Sequence, residues 1–301
     1  MKTNLILALV VASFGLSSCK KDTEIKKDET KKDSVAAVVE PEFHKELYGV
    51  YTGNFETVYN PYADNMEDNY MIKKLSVKIN RITKDSVYGY SVVNGNQRPF
   101  RGIYNENTQK FILDEPGDDK TDGRFTIGLR KDSLVGDWKV FDREKVKFPE
   151  KIVRLLKKDF VYNPNFMLDR DHSDIVDWTT TKKGKGRYED ENGKTQTYDV
   201  EQQRYASDAI FKINASKKKL EEKDLKNMKK LDMEIIKNAV FARHGYSFKK
   251  ETYRQFFDYQ EWYIPVSNNV DNDLSPLEKE NVALLNRMIK YAEDNYDSFG
   301  R

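Results

Sequence analysis

The spacing of apolar residues changes once along this 301-residue chain, from every second position to every third or fourth. Residues 75–79 alternate apolar and polar side chains, which is typical of a half-buried strand. Residues 236–240 and 253–260 instead place apolar side chains at helical intervals. The change predicts an α+β fold, with an N-terminal antiparallel β-sheet or small barrel over residues 43–142 and a small all-α domain over residues 216–301.

Short polar sequences divide the β region into strands. Glycine and small polar residues favour turns because they tolerate or hydrogen-bond the turned backbone. We predict turns at Lys84-Asp85-Ser86, Asn94-Gly95, Asn105-Glu106-Asn107 and Lys131-Asp132-Ser133. They give about seven or eight strands, enough for a small barrel. Aromatic residues at alternate positions around Tyr51 and Phe55 would either line a ligand cavity or simply fill the interior.

Two other segments lack a clear period. Residues 19–42 carry blocks of lysine and acid with few apolar residues, so they cannot bury enough surface to offset the entropy of ordering. We predict a disordered charged tether there. Residues 143–215 have mixed character, with a hairpin turn at Asn192-Gly193, and are predicted to be a connector that packs on both folded regions.

Charged residues are abundant but balanced, with 52 lysines and arginines against 50 aspartates and glutamates. A nucleic-acid-binding protein would carry a basic excess, so we expect no nucleic-acid partner. The histidines His44, His172 and His244 lack the spacing of metal ligands. Residues 19–301 contain no Gly-x-Ser-x-Gly sequence, which forms the nucleophile elbow of many hydrolases. We therefore expect no metal, no cofactor and no catalytic residue.

The chain has one cysteine, Cys19, so it cannot form an internal disulfide. A lysine, an apolar run over residues 5–14 and small residues precede it, as in a secretory signal. Leu16-Ser17-Ser18-Cys19 resembles a bacterial lipobox, and the lysines and acid that follow resemble the surface-export signal of Bacteroidota lipoproteins. The resemblance implies a signal peptide at residues 1–18, lipidation of Cys19 and an outer-membrane anchor facing the cell surface or the periplasm. The alternative is a plain signal peptide followed by a free thiol.

The helical region carries clear signals for where helices begin and end. Ser275-Pro276-Leu277-Glu278 is a capping box with proline at the first helical position. Asp232 is predicted to cap the preceding long helix. Gly245 stands where that helix needs a left-handed residue just past its end, so Phe241 and Tyr246 should make the hydrophobic contact of a Schellman motif.

The sequence Phe241-Ala242-Arg243-His244-Gly245-Tyr246 resembles the motif of the YARHG domain, with phenylalanine in place of the usual first tyrosine. The likeness continues through Ile236-Lys237-Asn238, Tyr253, Phe256, Trp262-Tyr263 and the run from Ser275 to Asn281. It covers about residues 215–295. The resemblance implies an exported bacterial domain without an established biochemical activity.

Two interpretations of this motif stay open. In the structural one, helices are shaped and ended by Asn238, Phe241, Gly245, Ser275 and Glu278. It makes His244 a surface residue whose charge suits the helix dipole, so Gly245→Val should destabilise the fold more than His244→Gln. In the binding interpretation, an anionic ligand enters a pocket formed by Arg243, His244, Tyr246, Trp262 and Tyr263.

These observations favour a lipid-anchored cell-envelope protein that acts as a non-catalytic binding or structural module. Its partners would be the membrane, through the N-terminal lipid, and an envelope protein or glycan. The alternative is an envelope hydrolase acting on glycan or peptide. A cleft holding two close carboxylates would favour the hydrolase, whereas a helical region with fully paired polar groups would favour the module.

Overall fold

The computed structural model describes residues 40–58, 72–297 and 299. The predicted signal peptide at residues 1–18, Cys19 and most of the tether at residues 19–42 lie outside the described residues. The described chain contains an N-terminal barrel and a C-terminal helical region, so the predicted α+β fold class is confirmed.

Eight antiparallel strands form a closed barrel in which each strand pairs with the next and the last pairs with the first. The strands are β1 (Gly49–Thr57), β2 (Ile72–Ile82), β3 (Val87–Val93), β4 (Asn96–Asn105), β5 (Lys110–Asp114), β6 (Gly123–Arg130), β7 (Ser133–Val140) and β8 (Glu150–Lys157). The four predicted turns all connect neighbouring strands. The predicted small barrel and its strand number are therefore confirmed.

Alternation along the strands directs one set of side chains into the barrel. Leu75, Val77 and Ile79 of β2 are fully buried there, as their spacing predicts. A 3₁₀ turn at Lys45–Leu47 covers one end of the barrel, where the Tyr51 hydroxyl donates to the Leu47 carbonyl at 3.0 Å. Aromatic side chains therefore fill this end.

The predicted end of the β region at residue 142 is wrong, because β8 lies in the segment assigned to the connector at 143–215. Val153 and Leu155 point into the barrel and are buried. The outward positions Ile152 and Leu156 are also apolar, and Leu156 is 55 % exposed. Apolar residues on both faces conceal the alternation from which a strand is recognised.

A long hairpin of β9 (Val176–Glu189) and β10 (Thr195–Tyr205) follows, with the predicted turn at Asn192-Gly193 at its tip. The base of the hairpin is held by a buried ion cluster. Arg204 donates to Asp177 Oδ2 at 2.7 Å and to Glu234 Oε2 at 2.9 Å. Because Glu234 lies in the helical region, the cluster attaches the hairpin to that region.

The helical region consists of α1 (Glu222–Leu225), α2 (Lys230–Arg243), α3 (Glu251–Phe257) and α4 (Pro276–Asn295). The capping box of α4 is formed as predicted. Asp232 caps α2 from its third helical position, by accepting the Lys229 amide at 3.1 Å, and is not itself the N-cap residue. Among the described residues, none of the helices is long and apolar enough to cross a membrane.

The helical core extends further back than the predicted boundary at residue 216. Leu168, Ala206 and Ile210 are buried in the same cluster as Ile235 and Phe257. The predicted connector at residues 143–215 is thus divided, with β8 in the barrel and the remainder packed on the helices. The boundary was missed because these contacts join residues far apart in sequence.

The barrel and the helical region pack directly on each other. The Gly95 amide, in the turn between β3 and β4, donates to Ser247 Oγ at 2.9 Å. On β3, the Tyr90 hydroxyl donates to the Val266 carbonyl at 3.4 Å. The helical region therefore supports the β3–β4 side of the barrel.

Candidate functional site

The predicted helix stop at Gly245 is present. Gly245 has φ +74°, its amide donates to the Ala242 carbonyl at 2.9 Å, and the Tyr246 amide donates to the Phe241 carbonyl at 3.0 Å. The Phe241 and Tyr246 rings meet edge to face with centroids 6.0 Å apart. These are the two hydrogen bonds and the contact of a Schellman motif.

His244 is buried, which contradicts its predicted surface position. Its Nε2 lies 2.9 Å from Glu278 Oε2, and its ring stacks on Tyr162 with centroids 4.2 Å apart. The Tyr162 hydroxyl donates to the other Glu278 oxygen at 3.0 Å. The expectation that His244→Gln costs little is therefore unsupported, because the segment carrying Tyr162 covers the helix end.

Glu278 is the centre of this network and is fully buried. Burial opposes its ionisation, but hydrogen bonds, led by that of His244, outweigh burial and hold the pKa of Glu278 at about 2. Glu278 Oε2 also accepts the Ser275 amide at 2.9 Å, which completes the capping box. One carboxylate thus joins the start of α4 to the end of α2.

Arg243 is also buried and bonded within the fold. Its Nε donates to the Phe166 carbonyl at 2.7 Å and its Nη1 donates to Ser216 Oγ at 3.2 Å. Burial lowers the pKa of Arg243 to about 10, and the nearby Glu278 carboxylate opposes that shift. The guanidinium therefore holds the Phe166 segment against α2.

Trp262 and Tyr263 are also hydrogen-bonded within the fold. Trp262 Nε1 donates to the Met167 carbonyl at 2.9 Å, and the Tyr263 hydroxyl donates to the Tyr246 carbonyl at 2.7 Å. Tyr263 is fully buried, whereas Tyr246 is half-buried beside Asn238 in a surface depression. The polar groups of four of the five proposed ligand-binding residues are thus hydrogen-bonded within the fold. The ligand-binding role of these residues stays a prediction.

A cavity of about 280 Å³ opens at the other end of the barrel, which we call the barrel mouth. Its floor is aromatic, with the Phe55 ring 5.5 Å from Trp138 and 6.5 Å from Phe125. Its lining is formed by Phe55, Val93, Asn94, Asn96, Arg98, Glu115, Thr121, Phe125, Trp138, Val146, Lys147, Phe148 and Lys151. The aromatic residues of the β region thus fill one end of the barrel and line a cavity at the other.

Glu115 is a buried carboxylate in the wall of the barrel mouth. It accepts hydrogen bonds from Ser91 Oγ at 2.7 Å, from the Gly123 amide at 2.9 Å and from Trp138 Nε1 at 3.2 Å. Burial raises the pKa of Glu115 despite these bonds. The bonds fix the Trp138 ring, so Glu115 shapes the floor of the cavity.

Lys151 extends from β8 into the barrel mouth. Its ammonium donates to Thr57 Oγ1 at 2.6 Å and lies 5.1 Å from the centre of the Phe148 ring. Burial lowers the pKa of Lys151 to about 8, and the positive charge of Lys73 adds to that effect. The fold therefore holds a cation beside an aromatic cavity, although burial removes part of the hydration of the ammonium group.

Asn94 lines the barrel mouth from the turn between β3 and β4. Its Oδ1 is buried and has no hydrogen-bond partner among the described residues. A buried acceptor without a donor costs roughly 1–3 kcal/mol, so such atoms call for an explanation. This oxygen is almost inaccessible to solvent, so it lies behind the surface of the cavity rather than on it.

Sequence reasoning missed the barrel mouth. The sequence feature that could have indicated it is a charged residue at an inward position near the end of a strand. Arg98, two positions before Phe100, and Lys151, two positions before Val153, are such residues. Each interrupts an apolar alternation that continues deeper in the barrel. Which strand ends converge is decided by barrel closure, which no local pattern reveals.

Binding of a metal ion requires several ligating side chains close together. Within the part of the chain that the structure describes, no three His, Cys, Asp or Glu side chains group so as to hold a metal ion. In the barrel mouth, Arg98 Nε lies 2.8 Å from Asp122 Oδ1, so that carboxylate is paired with a cation of the fold.

Residues 208–290 match the family described as the YARHG domain. No curated protein and no solved structure matches the chain. The matched range contains α1 to α3, the helix stop at Gly245 and most of α4. It begins before the predicted boundary at residue 216, in agreement with the extended helical core. The C-terminal part of this protein therefore contains a YARHG domain at residues 208–290, packed against an eight-stranded barrel.

Proposed function

We propose that this protein is a lipid-anchored cell-envelope protein that acts as a non-catalytic binding module, with the barrel mouth as its ligand site. The observation that carries the proposal is the open, aromatic-floored cavity of about 280 Å³, whose lining includes Lys151, a cation that donates to the neutral Thr57 hydroxyl. This volume lies just below the range of roughly 300–1,000 Å³ for small-molecule pockets. A small ligand with an apolar body fits this lining.

In this proposal the YARHG domain supports the site. Gly95 follows Asn94 in the β3–β4 turn, and its amide donates to Ser247 Oγ in the YARHG domain. Gly95 has φ +75°, and a Cβ there would meet Lys249 at 2.2 Å. The domain therefore holds the turn that places Asn94 in the lining of the cavity. The motif residues around Glu278 keep the domain rigid.

The hydrolase alternative requires two carboxylates that face a substrate. In the described barrel mouth, both Glu115 oxygens accept hydrogen bonds and Asp122 is paired with Arg98. These contacts favour binding over hydrolysis. Release of a product from envelope glycans or peptides by the purified chain would instead support the hydrolase.

Binding can be tested with indole, a small neutral molecule with an aromatic body and one N–H donor. Isothermal titration calorimetry should show binding to the full chain, and Val146→Trp, which fills the cavity from its rim, should abolish it. Val161→Trp is the matched control, because Val161 is 69 % exposed and lies outside the cavity lining. Equal indole binding by both variants would overturn the proposed site.

The anchor is tested separately, by fractionation. A single acyl chain binds membranes only marginally, whereas two or more hold stably. We expect Cys19→Ala to release the protein from membranes. A variant that stays membrane-bound in high salt would contradict the proposed lipidation. Protease access in intact cells would then decide between the cell surface and the periplasm, where an envelope protein or glycan partner would be met.

A further inference from the structure

The barrel mouth has an apolar floor and a cationic rim. The floor is made by Phe55, Phe125 and Trp138, whose rings contact one another. The rim includes Lys147 and Lys151, whose ammonium groups lie 5.2 Å and 5.1 Å from the centre of the Phe148 ring. An apolar ligand body would be stabilised by leaving water for such a floor. The charges on the rim favour ligands of the opposite charge.

The hydrogen-bond partner and the ring partner of the Lys151 ammonium are both neutral. Its hydrogen-bond partner is the Thr57 hydroxyl, and its ring contact is with Phe148. Among residues 40–58, 72–297 and 299, no carboxylate oxygen lies within 4.0 Å of this ammonium. Lys151 therefore enters the cavity as a cation without an ion-pair partner from the described fold, and it has donors to spare.

The acidic groups that the structure describes at the barrel mouth are engaged with other partners. Both Glu115 oxygens accept hydrogen bonds, from Ser91 Oγ, the Gly123 amide and Trp138 Nε1. Asp122 is paired with Arg98 at 2.8 Å, and its second oxygen accepts the Gly117 amide at 2.9 Å. The potential inside the cavity is therefore positive near Lys151, where a negative head group would be attracted.

We propose that the barrel mouth binds small anionic amphiphiles, with a carboxylate head group on the Lys151 ammonium and an apolar body on the aromatic floor. The inference rests on the proposed function, that this cavity binds a ligand. A water occupies roughly 30 Å³ of liquid, so the cavity suits a ligand on the order of ten non-hydrogen atoms. Octanoate has this size and chemistry.

Three probes that share one alkyl chain test the charge preference. Octanoate, octan-1-ol and octyltrimethylammonium are each titrated into the full chain and followed by isothermal titration calorimetry. Octanoate should bind at least about tenfold more tightly than octanol, because a hydrogen bond between two charged groups is stronger than one to a neutral hydroxyl. Octyltrimethylammonium should not bind detectably.

Variants of Lys151 assign the effect to one group. Lys151→Met keeps the length of the side chain but removes the charge, so it should lower octanoate affinity to that of octanol and leave octanol affinity unchanged. Lys151→Arg keeps the charge and should retain the preference for octanoate. Lys145→Met is the matched control, because Lys145 is exposed and paired with Asp142 at 2.8 Å outside the cavity. It should behave like the parent chain.

The possible outcomes separate the two proposals. Equal affinity for octanoate and octanol, or an octanoate preference that survives Lys151→Met, would overturn the anionic head group while leaving the cavity as a binding site. Octanoate binding that persists in Val146→Trp would place the ligand elsewhere and overturn both. Failure of indole and all three alkyl probes to bind would also overturn both.

Discussion

The YARHG domain and the barrel mouth both bury charged side chains, but they surround them differently. In the domain, His244 pairs with Glu278 at 2.9 Å and Arg243 donates to the Phe166 carbonyl at 2.7 Å. In the barrel mouth, Lys151 reaches a neutral hydroxyl and Asn94 Oδ1 has no partner among the described residues. The polar groups of the domain are thus paired within the fold, whereas Lys151 faces an open cavity.

This difference separates a structural role from a binding role. A buried charge paired within the fold is strongly destabilising to break, because its partner is left uncompensated. A buried charge that faces a cavity lowers stability in the empty protein and is retained where a ligand uses it. The motif that identifies the YARHG domain therefore belongs to its architecture, and the candidate site lies in the less recognisable half of the chain.

The largest expected effect is on the closed network. Glu278→Ala removes the partner of buried His244, the acceptor of Tyr162 and the capping box of α4. We expect the free energy of unfolding to fall by about 3–5 kcal/mol. Glu222→Ala is the control, because its ion pair with Arg287 is solvent-exposed and should contribute no more than about 1 kcal/mol. Similar losses in urea unfolding for the two variants would mean that the network is not structural.

The same carboxylate should make stability depend on pH. In the folded protein Glu278 stays ionised down to about pH 2, whereas its ordinary pKa is 4.5. Between these values the unfolded chain binds the additional proton, so this contribution is fully present above pH 4.5 and is lost as the pH falls towards 2. A difference of this size corresponds to roughly 3 kcal/mol at most.

The measurement is urea unfolding of the parent chain and Glu278→Gln from pH 6 to pH 2.5. Glutamine cannot ionise, so the stability difference between the two proteins should shrink as the pH falls. A difference that stays constant over this range would show that Glu278 titrates normally in the fold.

A smaller loss is expected at the helix stop. Gly245→Ala puts a Cβ on a residue with φ +74° and within 2.5 Å of Val266 Cγ2 and 2.9 Å of Phe160 Cε2. Gly193→Ala has the same φ, but its Cβ would meet nothing within 4 Å. We expect about 1–3 kcal/mol for Gly245→Ala and a smaller loss for Gly193→Ala, since only the first adds a collision to the strain. Thermal melts that rank the two variants in reverse would refute the close packing at Gly245.

Features that depend on neighbouring residues could be predicted from the sequence, whereas contacts between distant segments could not. The turn at Lys84-Asp85-Ser86 and the capping box beginning at Ser275 depend on neighbouring residues, so both were predicted. The burial of His244 depends on Tyr162, which is 82 positions away in sequence, and no local pattern records that contact. The barrel mouth likewise exists only because closure brings Asn94 and Lys151 to one rim.

The smallest expected effect on stability is at Lys151, and its sign distinguishes the two regions most clearly. Burial lowers the pKa of Lys151 from 10.5 to about 8, so the charged form is disfavoured in the folded protein. Lys151→Met removes that cost, and the lost hydrogen bond to Thr57 is worth about 1 kcal/mol. A pKa shift of this size is worth more than that bond, even when it is discounted because the side chain is only partly buried. We therefore expect the free energy of unfolding at pH 7 to rise by about 1–2 kcal/mol.

The unfolded chain keeps the lysine proton up to pH 10.5 and the folded protein only up to about 8, so the parent becomes more stable as the pH rises between these values. The advantage of Lys151→Met over the parent in urea unfolding should therefore shrink from pH 8 to pH 10, whereas Lys139→Met, at an exposed position of β7, should show no such trend. A loss of several kcal/mol for Lys151→Met at pH 7 would place Lys151 among the closed, structural charges and remove the contrast with the YARHG domain.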